Sequence, residues 1–292
     1  MTKSLRIGTR GSPLALAQAH MVADALRATH GLDTEIVPIT ASGDLIQDRP
    51  LADVGGKALW TKELDRCLID GRTDISVHSM KDVETVRPAS LVIAAMLKRA
   101  DTSDRLIGAA RIEALPHGAA IGTSSPRRAA QLLARRPDLK PVTLRGNVQT
   151  RLAKLERGEA AATLLAAAGL ARLGLDIGSP LDLLPAPAQG AIGIECLAGR
   201  ADLKTLLAGI DHVPTHRCVD AERAFLLALG GDCHSAVAAL ATNRNGAIHL
   251  RAEILSADGR EVRVGESDDP AGLAARLLAA ASPELRAMFA GP

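Results

Sequence analysis

Short apolar runs alternate with stretches of helical periodicity along the first forty residues. Residues 5–9 predict a strand, and apolar side chains recur at helical spacing across residues 14–26. Ser12-Pro13 between them suits the N-cap and first position of a helix, and Gly31 suits its end. Residues 35–40 predict a second strand, so the chain is expected to begin with a β-α-β unit.

The same alternation continues as far as residue 196, with two interruptions. Residues 41–60 are rich in Gly and Asp and have little periodicity, which predicts a flexible flap. The charged stretch 98–105 is expected to mark a crossing between two α/β domains. Further strands are predicted at 74–80, 91–97, 119–123, 141–144 and 191–196, and further helices at 61–70, from about 126, and from about 148 to 158.

The last third of the chain has a different pattern. Residues 214–229 have the spacing of a long amphipathic helix. Three strand-like runs follow, separated by Asn245-Gly246 and Asp258-Gly259, which are strong hairpin-turn signals. A closing helix is predicted over 271–281. The pattern therefore predicts two α/β domains followed by a small α+β domain with a three-stranded antiparallel sheet.

Composition narrows the classes of function. The 292 residues, 47% of them hydrophobic, suffice for two or three cores of roughly 100 to 150 residues each. A net charge of +2 and an aromatic content of 1% argue against nucleic-acid binding, since stacking platforms are scarce. The longest small and apolar run, residues 160–171, is shorter than the roughly 20 residues that cross a bilayer, so no membrane span is expected. The first ten residues lack the apolar segment of a secretory signal, which predicts a cytoplasmic protein.

The four cysteines form no CxxC pair. Cys67, Cys196 and Cys218 lie within predicted elements and are expected to be buried, inert thiols. Cys233 follows a Gly-Gly-Asp turn, which makes it the candidate for a reactive thiol. His212 and His216 with Cys218 match no zinc-ligand spacing, so no metal is expected.

Basic side chains gather near predicted strand ends and helix starts. They are Arg6, Arg10, Lys81, Arg127, Arg128, Arg145, Arg151 and Arg172. The guanidinium fork suits carboxylates, and an ordinary surface charge is the alternative for any one of them. Arg127 and Arg128 fall in the first turn of a predicted helix, where the helix dipole disfavours cations unless an anion offsets them. As a set, these residues predict a site for a ligand with several carboxylates.

Lys81-Asp82 follows the strand predicted at 74–80, at the sheet edge where open α/β sheets bind ligands. A carboxylate beside a lysine can stay ionised at neutral pH and stabilise a developing cation. A simple turn pair is the alternative. Asp82 is therefore the acid–base candidate of the sequence.

Several motifs occur in order along nearly the whole chain. They are RIGTRGSPLALAQ (residues 6–18), GGK (55–57), HSMKDV (78–83), GTSSPRR (122–128), LRGNVQTRL (144–152), AGLARLG (168–174), QGAIGIE (189–195) and GGDC (230–233). Together they resemble the porphobilinogen deaminase family.

The resemblance implies a fold and a reaction. The first two domains would be similar doubly wound units resembling periplasmic binding proteins. A dipyrromethane cofactor would be joined by a thioether to Cys233, and four porphobilinogen molecules would be condensed onto it with loss of ammonia. Hydrolysis would then release hydroxymethylbilane, which is passed to uroporphyrinogen-III synthase in heme biosynthesis. The family also implies a monomer.

The resemblance further assigns roles by position. Asp82 would bind pyrrole NH groups and stabilise the cation formed as ammonia leaves, while Arg10, Arg145 and Arg151 would handle substrate carboxylates near the reacting centre. The cofactor would be held by Cys233, Lys81, Asp82, Ser125, Arg127, Arg128 and Arg172. The substrate would be bound by Arg10, Ser12, Gln18, Lys57, Arg145, Arg151 and Gln189.

The expected domain boundaries follow from both the pattern and the resemblance. Domain 1 would comprise residues 1–98 and 196–213 and would carry the catalytic aspartate. Domain 2 would comprise residues 99–195 and bind carboxylates of cofactor and substrate. Domain 3 would comprise residues 214–292 and carry the cofactor-attachment cysteine.

Several positions depart from the family pattern. Glu84 stands where proline is typical, and Ala188 stands where glycine usually precedes Gln189. The other departures are Asp53, Trp60, Pro126, Asp232 and Ala236. Because Cys233, Asp82 and the arginines are all present, altered loop geometry or rate is expected rather than lost chemistry.

Two alternatives stay open at this point. A binding protein of the same fold could clamp a small anion with its arginines and helix ends without turning it over, and Cys233 and Asp82 would then have no necessary role. An inactive relative kept as a scaffold is the other alternative, and it draws on the departures from the family pattern.

Overall fold

The computed structural model describes residues 4–40, 61–230 and 235–289. The chain divides into two compact units, the first formed by Met1–Ala100 with Gly190–His216 and the second by Asp101–Gln189 with Arg217–Pro292. The first division falls close to the predicted crossing at residues 98–105. The division into three domains stays a prediction.

Strands and helices alternate through both units. The strands are β1 (Leu5–Arg10), β2 (Thr34–Ile39), β3 (Ile75–Ser79), β4 (Leu91–Met96), β5 (Asp104–Ile107), β6 (Ala120–Gly122), β7 (Lys140–Val142), β8 (Ala162–Ala166), β9 (Ser179–Leu181), β10 (Ile192–Leu197), β11 (Val237–Arg244), β12 (Ala247–Leu255) and β13 (Val262–Ser267). The α-helices are α1 (Pro13–His30), α2 (Lys62–Ile69), α3 (Pro126–Arg135), α4 (Val148–Glu156), α5 (Ala167–Arg172), α6 (Ala201–Ala208), α7 (Val213–Leu229), α8 (Pro270–Ala279) and α9 (Pro283–Ala287).

The first unit is built on a five-stranded sheet in the order β2-β1-β3-β10-β4. Strand β1 runs parallel to β2 and β3, whereas β10 runs antiparallel to β3 and β4. Its core contains side chains from the strands and from α1 and α6, among them Ile7, Val22, Ile75, Ile194 and Leu207. The ends of β1 and β3 therefore lie side by side at one edge of the sheet.

The second unit contains a sheet with the same strand arrangement, β7-β6-β8-β5-β9. Strand β6 runs parallel to β7 and β8, and β5 runs antiparallel to β8 and β9. Strands β5, β8 and β9 were not predicted from the sequence. The charged stretch 98–105 includes the first residues of β5, and the apolar run 160–171 divides into β8 and α5.

The second unit also holds the antiparallel sheet β11-β12-β13. Asn245 and Gly246 both have positive φ, as the predicted two-residue hairpin turn requires. Helices α7 and α8 cover this sheet with a core that includes Phe225, Leu250 and Leu277. The two five-stranded sheets and this three-stranded sheet confirm the predicted fold class.

Helix α1 begins and ends where the sequence predicts. The hydroxyl of Ser12 accepts a hydrogen bond from the Ala15 amide at 3.3 Å, and Pro13 is the first helical residue. Gly31 ends the helix in the left-handed conformation, with φ of 63°. Among the described residues, none of the helices is both long and apolar enough to cross a membrane.

Candidate active site

A pocket in the first unit brings together several of the residues singled out from the sequence. Its lining includes Arg10, Ser12, Gln18, His78, Ser79 and Asp82. Arg10 ends β1, Ser12 caps α1, and Asp82 closes a short 3₁₀ turn, Met80–Asp82, directly after β3. The sheet order explains the cluster, because β1 and β3 are parallel neighbours whose carboxyl ends meet at the same edge.

Gln18 is buried in the wall of this pocket and bonds Ser79. Its Nε2 donates to Ser79 Oγ at 2.8 Å, and Ser79 Oγ donates back to Gln18 Oε1 at 3.0 Å. Asp82 lines the same pocket, and both Asp82 and its neighbour Lys81 are partly exposed. The pocket thus combines an accessible carboxylate with a guanidinium and a helix N-terminus, a combination that can bind a zwitterionic substrate.

Arg6, the remaining basic candidate of this unit, has a structural role. Its Nη2 donates to Asp74 Oδ1 at 3.0 Å and its Nε donates to Asp74 Oδ2 at 3.1 Å. This two-point contact joins β1 to the residue before β3.

Arg127 and Arg128 lie in the first turn of α3, as predicted, and share one buried carboxylate. Arg127 Nη2 donates to Asp104 Oδ2 at 2.8 Å, and Arg128 Nη2 donates to Asp104 Oδ1 at 2.7 Å. Burial raises the pKa of Asp104, but the charges of Arg128 and Arg127 and their hydrogen bonds outweigh it and hold that pKa well below its usual range. Asp104 is therefore the anion that offsets the two arginines at the start of α3, and it comes from the chain itself.

Each of these arginines nevertheless retains a donor. The Nε atoms of Arg127 and Arg128 are buried and have no hydrogen-bond partner among the described residues. A buried N–H without a partner is unfavourable, and a carboxylate of a bound molecule would satisfy it. The pair thus fits the carboxylates of a dipyrromethane group. Ser125 is the N-cap of α3, and its hydroxyl accepts a hydrogen bond from the backbone amide of Arg128 at 3.4 Å.

Three further arginines of the second unit are Arg172 at the end of α5, Arg151 on α4 and Arg145 in the loop before α4. Burial lowers the pKa of Arg172, the last residue of α5, to about 10, so its guanidinium stays charged in a poorly solvated place. Arg151 on α4 donates from Nε to the carbonyl oxygen of Gly146 at 3.0 Å, next to Arg145 in the chain. Gly146 has a φ of 110°, a conformation that glycine favours.

Gln189 is buried rather than exposed to a cleft. Its Nε2 donates to Asp104 Oδ1 at 2.9 Å and to the Thr102 carbonyl at 2.7 Å. Ala188 before it has a φ of 61°, in the left-handed region that favours glycine, which accounts physically for the glycine usual at this position in the family. Its amide donates to the buried carboxylate of Glu222 at 2.6 Å.

A buried charge cluster in the first unit was not predicted from the sequence. Arg87 directs all five of its N–H bonds to acceptors: to Glu195 Oε1 and Oε2, both at 2.9 Å, to Thr61 and Glu84, and to Asp65. Burial raises the pKa of Glu195, but its hydrogen bonds and charge interactions with His78 and Arg87 lower it to about 2. By contrast, burial raises the pKa of Asp65 more than Arg87 lowers it. One sign of this cluster was visible in the sequence, which is that His78 and Glu195 both lie within the ordered motifs.

The other residues considered from the sequence fall into two groups. Lys57 and Cys233 lie outside the described residues, as do the flap predicted at 41–60 and the departures Asp53, Trp60 and Asp232. Cys67, Cys196 and Cys218 are buried and form no disulfide among the described residues, as expected for thiols within regular elements.

Comparison with known proteins agrees with the motifs. Residues 5–205 match the family model described as porphobilinogen deaminase, dipyromethane cofactor binding domain, and residues 216–280 match porphobilinogen deaminase, C-terminal domain. A porphobilinogen deaminase of Sphingopyxis alaskensis is 60% identical, over 98% of this chain and 96% of the relative, and one of Paracoccus denitrificans is 49% identical, over 97% and 93%.

Among solved structures, a periplasmic substrate-binding protein of an ABC transporter from Coxiella burnetii aligns with a TM-score of 0.44 and 17% identity. That alignment covers 75% of this chain and 95% of the other. The family models span most of the chain, and the relatives match it from end to end at high identity. The chain belongs to the porphobilinogen deaminase family.

Proposed function

We propose that this chain condenses four porphobilinogen molecules head to tail and releases hydroxymethylbilane, as expected of a hydroxymethylbilane synthase. The observation that carries the proposal is the placement of Asp82 with Arg10 and Ser12 in one pocket of the first unit. Porphobilinogen has an aminomethyl group, a pyrrole N–H and two carboxylates, so it needs both an anionic and a cationic partner.

Asp82 would act where positive charge develops. When the bond between the aminomethyl carbon and nitrogen breaks, ammonia leaves and the remaining azafulvene is cationic. A carboxylate that accepts the pyrrole N–H stabilises that cation. Attack of a pyrrole α-carbon on the methylene carbon would then form the new carbon–carbon bond, and loss of the α-proton would restore the aromatic pyrrole.

The basic residues would hold the carboxylates of substrate and growing chain. Arg10, Ser12 and Gln18 lie in the first unit, as does Lys57 by sequence, whereas Arg145, Arg151 and Gln189 belong to the second. Because Gln189 bonds Asp104 and Thr102, its contribution would be to fix the arginine pair rather than to contact substrate.

The dipyrromethane, when joined to Cys233, supplies the primer onto which substrate pyrroles are condensed. Ser125, Arg127, Arg128 and Arg172 would hold its carboxylates, together with Lys81 and Asp82 of the first unit. The unpartnered Nε atoms of Arg127 and Arg128 support this assignment. We further propose a cytoplasmic monomer whose product passes to uroporphyrinogen-III synthase.

The direct test is turnover by the purified full chain. Incubation with porphobilinogen should release one ammonia for each porphobilinogen consumed, and hydroxymethylbilane should be detected by its cyclisation to uroporphyrin after oxidation. Saturable binding of porphobilinogen without ammonia release would instead support a binding protein that clamps an anion.

A further inference from the structure

The turn formed by residues 79–86, which carries Lys81 and Asp82, is bounded by two residues that bind one buried carboxylate. His78 precedes the turn and Arg87 follows it, and both donate to Glu195 on β10. We propose that Glu195 is a positioning residue for Asp82, because it holds both ends of this turn against the sheet. These ends, at His78 and at Arg87, are called the first and second stems of the turn. The inference rests on the proposed function, in which Asp82 is the catalytic carboxylate.

The first stem is held at the end of β3. Strand β10 runs antiparallel to β3, with Gly193 opposite His78 and Glu195 opposite Ser76. His78 Nε2 lies 3.0 Å from Glu195 Oε2, and both side chains are almost completely buried. Since the carboxylate is an acceptor only, Nε2 is the protonated nitrogen that donates to it.

The second stem is held by Arg87, whose guanidinium donates hydrogen bonds to both carboxylate oxygens of Glu195. A two-point contact of this kind fixes orientation as well as distance. The same guanidinium bonds Glu84 within the turn and Asp65 on α2. Arg87 therefore links the end of the turn to a strand and a helix at once, and its side chain is only 9% exposed.

The beginning of the turn is seated on the same strand. Met80 is 1% exposed and lies over Gly193, where an added Cβ would come within 2.1 Å of its Sδ. Strand β10 thus contacts the turn at three places, through Gly193 beneath Met80 and through Glu195 at both stems. Asp82 itself is partly exposed, so its position depends on these contacts rather than on burial of its own side chain.

Through Glu84, the buried charge cluster around Arg87 also restrains the backbone of the turn. In the family this position is typically proline, whose ring restricts the backbone of the turn. Here the Glu84 carboxylate accepts hydrogen bonds from Thr61 and Arg87 instead. The ion pair between Glu84 and Arg87, which also binds Glu195, therefore restrains the turn where other members of the family typically have a proline ring.

The test compares Glu195→Gln with Asp74→Asn in the full chain carrying its cofactor. Both changes place an amide nitrogen against an arginine donor of the first unit, but only Glu195 touches the stems of the turn. Glu195→Gln is expected to lower kcat about tenfold or more with little change in KM, because small misplacement of a reacting group is costly while substrate carboxylates still meet the arginines. Asp74→Asn is expected to lower the unfolding temperature while kcat stays at the parent value.

Hydrogen exchange supplies a readout that does not depend on turnover. Amides of residues 80–87 should exchange faster in Glu195→Gln than in the parent, and they should be unchanged in Asp74→Asn. Should Glu195→Gln fail to fold, Glu84→Gln offers the milder test, with a smaller fall in kcat and faster exchange in the same segment.

Parental kcat and parental exchange in a folded variant would overturn the inference, as would an equal loss of kcat in Asp74→Asn. If the parent chain itself shows no turnover, the proposed function fails. The exchange comparison then still decides whether Glu195 holds the turn.

Discussion

Replacing Asp82 by alanine is expected to reduce turnover of porphobilinogen by about a hundredfold or more, the scale of losing an electrostatic partner of a transition state. Asp82 follows β3 and lies in the pocket with Arg10 and Ser12, where its carboxylate can face a developing cation. Because the side chain is partly exposed, its removal should change the free energy of unfolding by less than about 1 kcal/mol. The measurement is the initial rate of porphobilinogen loss.

Asp24→Ala provides a matched control. Asp24 lies on α1 in the same unit, is largely exposed, and pairs with Arg27 at 3.5 Å on the surface. Its removal should leave both rate and stability at parental values. A near-normal rate in Asp82→Ala, with the chain folded and the cofactor attached, would remove Asp82 from its assigned role.

Asp104→Asn is expected to cause the largest loss of stability of any single change considered, about 3 to 5 kcal/mol. The Asp104 carboxylate is fully buried and pairs with Arg127 and Arg128, which are themselves buried. An asparagine would leave two guanidinium groups facing one neutral amide. Urea unfolding at pH 7 measures the effect, and Asp101→Asn, which weakens a 3.8 Å surface pair with Arg105, should change stability by less than about 0.5 kcal/mol.

The same carboxylate predicts how stability depends on pH. Its pKa in the folded chain lies below the ordinary value of 3.8, so its contribution is complete above that value and is lost as the pH falls through the lower folded pKa. Unfolding free energy should therefore fall more steeply with acid below about pH 4 in the parent than in Asp104→Asn. Equal acid dependence, or a loss at pH 7 no larger than that of Asp101→Asn, would contradict the role given to Asp104.

Local signals were sufficient to predict much of the fold. Ser12-Pro13 and Gly31 mark the ends of α1 because capping and the left-handed conformation depend on the residues at those positions. Asn245-Gly246 likewise fixes the hairpin between β11 and β12. Asp82 and Arg10 could be placed at one sheet edge because parallel strands bring their carboxyl ends together.

The features that were missed depend on partners distant in sequence. Strand β8 is short and lies in an alanine-rich segment that is also compatible with a helix, and it is set by pairing with β5 and β6. Asp104 lies in a charged segment, and nothing local shows that it is buried between two arginines. Arg87 meets Glu195 across 108 positions of sequence, so the cluster becomes visible only in the folded sheet.

The alternative of a non-catalytic clamp differs from the enzyme in what it requires of two residues. A clamp needs arginines and helix ends, and both are present in the first unit as Arg10 and the N-terminus of α1. It requires neither a carboxylate at Asp82 nor a thiol at Cys233. Variants of these two residues therefore separate the two functions more sharply than variants of the arginines.

The intact mass of the purified chain tests the central claim most directly. An enzyme that builds a growing polypyrrole on a covalent primer should carry additional mass equal to two pyrrole units, and Cys233→Ser should have the mass calculated from its sequence alone. A parent chain with unmodified mass, both as purified and after incubation with porphobilinogen, would contradict the account, as would a two-pyrrole increase that persists in Cys233→Ser.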